Sequence, residues 1–204
     1  MKLYETPSTP NCLRVSLFLA EKGMDIPREI IDVRAGDNLK EDFCKKSVNG
    51  LVPTLELDNG DYLCESIAIC RYFEEIHPHP ALFGQSHLER AQIEMWQRII
   101  ELQGIVLIAQ AIRNLKQVYK DRENCIEDWG YEALLRFRKI LPKIEAQLAA
   151  HQYIAGSSFS VADISTFIML KMASKMEIEI DQQWPSIHRW QKEISQRPAF
   201  AALS

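Results

Sequence analysis

The segment "TPSTPNC" (6–12) places polar side chains where a helix is expected to begin. Proline lacks an amide hydrogen and holds φ near the helical value, so Pro10 suits the first position of that helix. Thr9 then caps the helix, and Asn11 and Cys12 lie in its first turn. The sequence therefore predicts a hydroxyl, a carboxamide and a thiol around the positive end of a helix dipole.

A second candidate site is the pair Val52–Pro53, which comes directly before a predicted central strand. Proline is normally excluded from central strands. A cis bond, which costs only ~0.5–1 kcal/mol before proline, would leave the Val52 N–H and C=O free to pair with a peptide-like ligand. A trans proline that begins the strand is the alternative, and the residue pair alone does not decide between them.

The third candidate is Glu65–Ser66, immediately before the apolar segment "IAICRYF". Ser66 suits the N-cap of a helix, whose first amides favour a carboxylate. Glu65 beside it suits an ammonium group. Together they fit a ligand with an amine and a carboxylate on one carbon, although a simple helix cap is the structural alternative.

The elements that position these residues follow the order β-α-β-α-β-β-α. Strands are predicted at "KLY" (2–4), "REIIDV" (28–33), "TLEL" (54–57) and "YLC" (62–64), and helices at 10–22, 37–47 and 66–76. Asn59–Gly60 is a hairpin signal between the last two strands. This order predicts a mixed four-stranded sheet.

From residue 87 onwards the apolar pattern is helical. Long helices are predicted over 86–122, with a break near Gly104, and over 125–150, with a kink at Pro142; shorter ones follow at 158–175 and 184–196. Ser160 and Asp163 in "SFSVADI" form a capping box with a structural role. We expect an α/β domain over 1–77, a linker over 78–86 and an all-α domain over 87–204.

Composition limits the function classes. The chain has 204 residues, 47% of them hydrophobic, and a formal net charge of −4, which argues against general nucleic-acid binding. Its five cysteines are odd in number and lack CxxC spacing, so we expect reduced thiols in a cytoplasmic protein. The longest apolar run, 104–112, is shorter than the ~20 residues of a membrane span, and no pattern indicates a metal site.

The order of elements, "TPSTPNCLRVSLFLAEKG", "GLVPTLEL" and "ESIAI" together resemble the cytosolic glutathione S-transferases over essentially the whole chain. "ESIAI" is similar to the Ser-x-Ala-Ile signature of that family. The resemblance implies a thioredoxin-like N-terminal domain that binds glutathione, followed by an all-helical C-terminal domain. It also implies a homodimer with residues 70–75 and the first long helix near the two-fold axis.

The resemblance gives each candidate residue a role. Val52, with Pro53, would pair with the cysteinyl backbone of glutathione, and Glu65 and Ser66 would hold its γ-glutamyl end. Thr9 takes the position of the catalytic hydroxyl or cysteine of the family. Asn11 adds a second donor and a contact to glutathione.

Alternative donors to the glutathione sulfur are Ser8, one residue away, and Tyr4 at the end of the first strand. Cys12 is interpreted as a small packing residue and not as a redox centre. Many relatives carry Lys or Gln before the Val–Pro pair, where it contacts the glycine carboxylate, but this chain has Leu51. Asn38 or Lys40 is expected to substitute.

A hydrophobic co-substrate site is expected along the first long helix, at Trp96, Ile99, Ile100 and Gln103. The leading hypothesis is transfer of glutathione to small hydrophobic electrophiles. The alternatives are a glutathione-dependent reductase of disulfides or peroxides, or a non-catalytic interaction protein with the same fold. Leu51 favours the last alternative, whereas the Glu65–Ser66 pair opposes it.

Overall fold

The computed structural model describes residues 1–180 and 183–201. The chain divides into two compact units, Met1–Leu82 (unit 1) and Phe83–Ser204 (unit 2). The division falls within the segment 78–86 that the sequence suggests as a linker.

Unit 1 is built on a four-stranded sheet with the order β2-β1-β3-β4. Its strands are β1 (Lys2–Glu5), β2 (Arg28–Ile30), β3 (Thr54–Glu56) and β4 (Tyr62–Cys64). β1 runs parallel to β2 and antiparallel to β3, and β3 and β4 form a hairpin. The predicted mixed sheet is confirmed. β2 ends earlier than predicted because the chain turns at Asp32, whose Oδ1 accepts a hydrogen bond from the Ala35 amide at 2.9 Å.

The helices of unit 1 are α1 (Pro10–Glu21), α2 (Glu41–Cys44) and α3 (Ser66–Ile76), and α1 packs against α3. α1 ends before Gly23, whose φ of 65° glycine adopts without steric cost. The helix predicted over 37–47 is divided in two. A 3₁₀ turn (Asp37–Leu39) precedes α2, and the extended backbone of Lys40 separates them.

Unit 2 is helical, as predicted. Its helices are α4 (His87–Ile100), α5 (Val106–Leu115), α6 (Glu127–Arg138), α7 (Leu141–Ala150), α8 (Val161–Ser174), α9 (Pro185–Ser195) and α10 (Pro198–Ala201). In the described part of unit 2, extended pairing is limited to an isolated bridge between Tyr153 and Gly156. Among the described helices, none combines the length and apolar character needed to cross a membrane.

A π-helical turn (Glu101–Ile105) joins α4 to α5 and contains Gly104, near the predicted break. A Cβ atom at Gly104 would lie only 2.2 Å from Met169 Sδ on α8. Glycine therefore lets the two helices approach closely. The wider π turn also changes the angular position of the residues that follow Ile100.

α8 begins inside the core of unit 2 with the predicted capping box, which is confirmed. The buried Asp163 carboxylate accepts hydrogen bonds from the Ser160 amide at 3.0 Å and the Ile154 amide at 3.0 Å. Trp190 Nε1 donates to it at 2.9 Å. Burial raises the pKa of Asp163 to about 6, although these donors oppose the shift.

Candidate active site

The turn before α1 fixes the position of Thr9. The Thr6 carbonyl accepts hydrogen bonds from both the Thr9 amide and the Thr9 hydroxyl, each at 2.9 Å. Thr9 has extended backbone and occupies the N-cap position, with Pro10 beginning the helix, as predicted. Its side chain makes no capping bond to the helix. The single hydroxyl proton of Thr9 is therefore donated to Thr6 in this conformation.

Asn11, in the first turn of α1, is exposed and oriented by a neighbour. Its Oδ1 accepts a hydrogen bond from Arg14 Nη1 at 3.1 Å. Because the carboxamide oxygen faces Arg14, the NH₂ group points to the opposite side of the amide. The described residues include no acceptor for that NH₂ group, so Asn11 presents two donors at the positive end of the helix.

Arg14 connects the start of α1 to the start of α3. Its side chain is only 1% exposed, and Nη1 donates to Ser66 Oγ at 2.6 Å as well as to Asn11. Because Ser66 Oγ accepts from a cation, its own hydroxyl proton is left for another acceptor. The same guanidinium adds positive charge near a site that suits a carboxylate.

α3 begins where the sequence predicts, but its cap residue differs from the prediction. The helix begins at Ser66, and Glu65 occupies the cap position without a side-chain capping bond. The predicted N-cap role of Ser66 is therefore wrong; its hydroxyl bonds Arg14 instead. Glu65 has a φ of 68°, and such a backbone at a non-glycine residue costs about 1–3 kcal/mol. The Glu65 carboxylate is exposed and accepts a bond from Asn49 Nδ2 at 3.0 Å.

Asn49 links Glu65 to the loop that leads into Val52. Its Oδ1 accepts from the Leu51 amide at 3.1 Å and from Ser47 Oγ at 3.0 Å. The Val52–Pro53 bond is cis, so the first of the two sequence-based alternatives is the correct one. The hydrogen bonds of the described residues include none to the Val52 N–H or C=O. The Val52 backbone is thus available to a peptide-like ligand.

The two residues expected to replace the missing Lys or Gln have partners in unit 1. Asn38 is buried, and its Nδ2 donates to the Gly50 carbonyl at 2.8 Å. Lys40 is exposed, and its Nζ lies 2.5 Å from Asp37 Oδ1. Asn38 therefore supports the loop that contains Gly50, and Lys40 is held by an exposed ion pair of little energetic weight.

The alternative donors occupy different surroundings. The Tyr4 hydroxyl donates to Glu56 Oε2 at 2.6 Å and accepts from Lys46 Nζ at 3.2 Å, so its proton already has an acceptor. Ser8 is exposed in the turn before Thr9.

Cys12 is fully buried, and burial raises the pKa of its thiol to about 11. Such a thiol stays protonated near neutral pH, consistent with a packing residue.

The residues predicted to contact a hydrophobic co-substrate do not share one exposed face of unit 2. Trp96 and Ile99 are half-buried, whereas Ile100 has no exposed surface and belongs to the core. Gln103 Oε1 accepts a bond from Lys143 Nζ at 3.1 Å. Gln103 lies in the π turn, which removes it from the helical spacing on which the prediction depended. Trp96 lines a surface cavity of about 730 Å³ in unit 2 with Leu88, Met95, Gln147 and His151.

Sequence reasoning missed two residues of the candidate site, Arg14 and Asn49. Arg14 had a detectable signal: it shares one helix face with Leu17 and Phe18, three and four residues later, and both are apolar. A charged residue on an apolar face needs buried partners. Asn49 had no comparable signal, because its partners come from a turn whose geometry the sequence does not reveal.

Known proteins resemble the chain across both units. Residues 3–81 match the family model described as the glutathione S-transferase N-terminal domain, and residues 131–198 match the C-terminal domain. The curated protein "Glutathione S-transferase 2" of Saccharomyces cerevisiae is 30% identical over 212 residues, covering 100% of this chain and 89% of that protein.

Solved structures extend the similarity to three dimensions. A class Gtt2 glutathione S-transferase of Vibrio parahaemolyticus is 48% identical with a TM-score of 0.88, and the match covers 98% of this chain and 95% of that one. Gtt2 from Saccharomyces cerevisiae is 28% identical with a TM-score of 0.94, and the match covers 100% of both chains. The thioredoxin-like and all-helical architecture predicted from the sequence is confirmed. The chain belongs to the glutathione S-transferase family.

Proposed function

We propose that this protein is a glutathione transferase that activates the glutathione thiol for attack on small hydrophobic electrophiles, a detoxification reaction. The observation that carries the proposal is the buried Arg14 guanidinium, which joins Asn11 at the start of α1 to Ser66 at the start of α3. Family membership makes glutathione the co-substrate. These contacts therefore link the predicted thiol-activating end of the site to the end that holds the peptide.

The energetic requirement on the site is modest. A free thiol with a pKa of ~8.5 is only about 3% ionised at pH 7. A hydrogen bond to a charged acceptor contributes ~1.5–3 kcal/mol, and a helix N-terminus contributes ~0.3–2 kcal/mol. A combined ~2.7 kcal/mol lowers the thiol pKa by about two units and raises the ionised fraction to roughly three-quarters. Donors are sufficient, and no general base is required.

Asn11 and Thr9 are the proposed donors to the sulfur. The NH₂ group of Asn11 needs no rearrangement because Arg14 already holds the carboxamide oxygen. Thr9 must rotate its hydroxyl away from the Thr6 carbonyl, which retains the Thr9 amide as a donor. Ser8 is the alternative hydroxyl. Tyr4 is the weakest candidate, since Glu56 already accepts its proton.

The remaining contacts orient glutathione. Val52, next to Pro53, pairs with the cysteinyl residue through its free backbone groups. Ser66 donates to the γ-glutamyl carboxylate, and Glu65 accepts from the ammonium group on the same carbon. Asn49 supports this arrangement because it bonds both Glu65 and the Leu51 amide.

We assign the electrophile to the exposed surface of Trp96 and Ile99. Ile100 supports α4 from the core. Gln103 supports the π turn, where it accepts a hydrogen bond from Lys143. The cysteines are free thiols, which supports a cytoplasmic location.

An exposed apolar stripe along α4 and α5 supports a homodimer. It consists of Leu88, Met95, Leu102 and Val106, all exposed in the single chain. Leu88 and Met95 are seven residues apart on α4, the spacing of one helix face, and Leu102 and Val106 follow in the π turn and at the start of α5. We propose that a second copy of the chain covers this stripe and also contacts residues 70–75 of α3.

The thiolate titration of bound glutathione tests the donor assignment. We expect Asn11→Ala and Thr9→Val each to raise the pKa of the bound thiol by about one unit, as loss of a charge-assisted bond requires. The ultraviolet absorbance of the thiolate measures it. Ser8→Ala is the matched control and should leave the titration unchanged.

Two results would contradict the proposal at different levels. A changed titration in Ser8→Ala alone would move the hydroxyl role from Thr9 to Ser8. Failure of the wild-type protein to bind immobilised glutathione would remove the transferase function altogether.

A further inference from the structure

We propose that the site accepts γ-glutamyl-cysteinyl peptides whose third residue ends in an uncharged amide or ester as readily as it accepts glutathione. The proposal rests on the proposed function and concerns the end of the peptide that lies farthest from Glu65. It assigns a substrate class, thiol peptides with a neutral carboxyl end, to the same site.

The sheet determines the direction in which the peptide runs. In the antiparallel β3–β4 hairpin, Thr54 lies opposite Cys64. One residue further along each strand, Pro53 therefore lies at the level of Glu65. A peptide whose amino end is held by Glu65 and Ser66 therefore runs towards lower residue numbers as it passes Val52. This direction is antiparallel to the chain and brings the third residue of the peptide beside Leu51.

The described amine and amide nitrogens on the segments that flank Leu51 already have acceptors. Asn38 Nδ2 donates to the Gly50 carbonyl at 2.8 Å, and Lys40 Nζ lies 2.5 Å from Asp37 Oδ1. The lysines of the α2 region are also engaged: Lys45 pairs with Glu41 at 2.9 Å, and Lys46 bonds the Tyr4 hydroxyl at 3.2 Å. A carboxylate that replaced one of these exposed acceptors would exchange one solvent-exposed ion pair for another, which contributes little to binding.

Exposed apolar side chains accompany these polar groups on the segments that lead to Leu51. Leu39 is 59% exposed, Val48 93% and Leu51 50%. Their backbones are held in one region, because Asn38 Nδ2 donates to the Gly50 carbonyl and the Leu51 amide donates to Ser47 Oγ at 3.1 Å. Such side chains give no stabilisation to a carboxylate but can pack against the alkyl part of an ester or amide.

Binding calorimetry with glutathione and its glycyl ethyl ester tests the proposal. We expect the two dissociation constants for the wild-type protein to agree within about threefold, whereas a charge-assisted contact to the carboxylate would separate them by about tenfold or more. An ester that binds the wild-type protein at least about tenfold more weakly than glutathione overturns the proposal.

A variant at Leu51 gives an independent check. Leu51→Lys should tighten glutathione by about tenfold and leave the ester unchanged, since only glutathione offers the charge. Leu135→Lys, which adds the same charge at an exposed leucine of α6, is the matched control and should alter neither. Equal tightening of both ligands by Leu51→Lys contradicts the placement of the third residue. If neither ligand binds the wild-type protein, the proposed function fails and this proposal fails with it; binding of glutathione alone overturns only this proposal.

Discussion

At the scale of single residues, the candidate site depends on a buried cation whose role is to position other groups. The Arg14 guanidinium donates from one nitrogen to Asn11 Oδ1 and Ser66 Oγ. Its rigid planar shape fixes both partners together, which the flexible ammonium of lysine does not do. The orientation of Asn11, the candidate donor to the sulfur, thus depends on Arg14. The orientation of Ser66, the candidate donor to the carboxylate, depends on the same arginine.

We expect Arg14→Lys to weaken glutathione binding by about tenfold to a hundredfold, because a hydrogen bond from a charged donor contributes ~1.5–3 kcal/mol. The pKa of the bound thiol should rise in the same variant, since the Asn11 carboxamide loses its orientation. Calorimetry and thiolate absorbance measure the two effects. Arg98→Lys, which alters an exposed ion pair with Glu101, is the matched control. A lower melting temperature with unchanged affinity and unchanged thiol pKa would reduce Arg14 to a purely structural role.

The sequence located the candidate site better than it described the site's chemistry. Thr9, Val52 and Glu65 were chosen as candidates because proline and helix-cap patterns mark chain turns that any fold must accommodate. Hydrogen-bond partners were less accessible. The bonds of Thr9 to Thr6 and of Ser66 to Arg14 depend on side-chain conformations and on contacts between distant segments.

At the scale of elements, the start of α8 combines a buried charge with several donors. Asp163 receives bonds from two backbone amides and from Trp190. It thereby joins the loop before α8, the helix itself and α9. The pKa of this carboxyl is raised by burial from 3.8 to about 6, so its protonation is linked to folding.

The linkage gives a pH dependence with a definite sign. The folded protein retains a proton on Asp163 in a pH range in which the unfolded chain has lost it. The contribution of Asp163 to the free energy of unfolding is therefore largest below pH ~4 and decreases as the pH rises to about 6. Urea unfolding gives the free energy of unfolding of the wild-type protein and of Asp163→Asn across this pH range. The wild-type value minus the Asp163→Asn value should decrease as the pH rises.

The matched control for this experiment is Asp128→Asn, since Asp128 is an exposed carboxylate in the first turn of α6. Asp128 lies outside the hydrogen bonds that surround Asp163, so this variant reports the effect of removing one exposed carboxylate. A difference for Asp163→Asn that increases with pH would mean that the surrounding donors outweigh burial and keep the carboxylate ionised.

Elements with strong local signals were predicted with accurate bounds. α3 begins at Ser66 and ends at Ile76 as expected, because its apolar periodicity stops at a pair of prolines. The π turn was anticipated only as a break near Gly104. Gly104 in this turn allows a close approach of Met169 from α8, a long-range contact that local propensity does not contain.

At the scale of the whole molecule, the exposed apolar stripe on α4 and α5 argues for association. Exposed apolar side chains that recur along one helix face are typical of protein interfaces, whereas isolated ones are ordinary. The stripe lies within unit 2, and it extends across the π turn from Leu88 to Val106.

We expect the wild-type protein to sediment with twice the 23.5 kDa mass of the chain, and Met95→Glu to sediment as a monomer. A carboxylate in the centre of an apolar interface would be desolvated without a partner. Leu135→Glu, at an exposed leucine of α6 outside the stripe, is the matched control and should remain dimeric. A wild-type protein that sediments as a monomer would refute the proposed assembly.

The free cysteines of unit 1 differ sharply in accessibility. Cys12 and Cys70 are sealed in the interior, and burial raises the pKa of their thiols to about 11 and about 12, whereas Cys44 is exposed. An alkylating reagent at neutral pH therefore reaches the sealed pair only when unit 1 opens. The alkylation rate of Cys12 and Cys70 therefore measures how often unit 1 opens. The alkylation rate of Cys44 serves as the internal standard for the reactivity of the reagent.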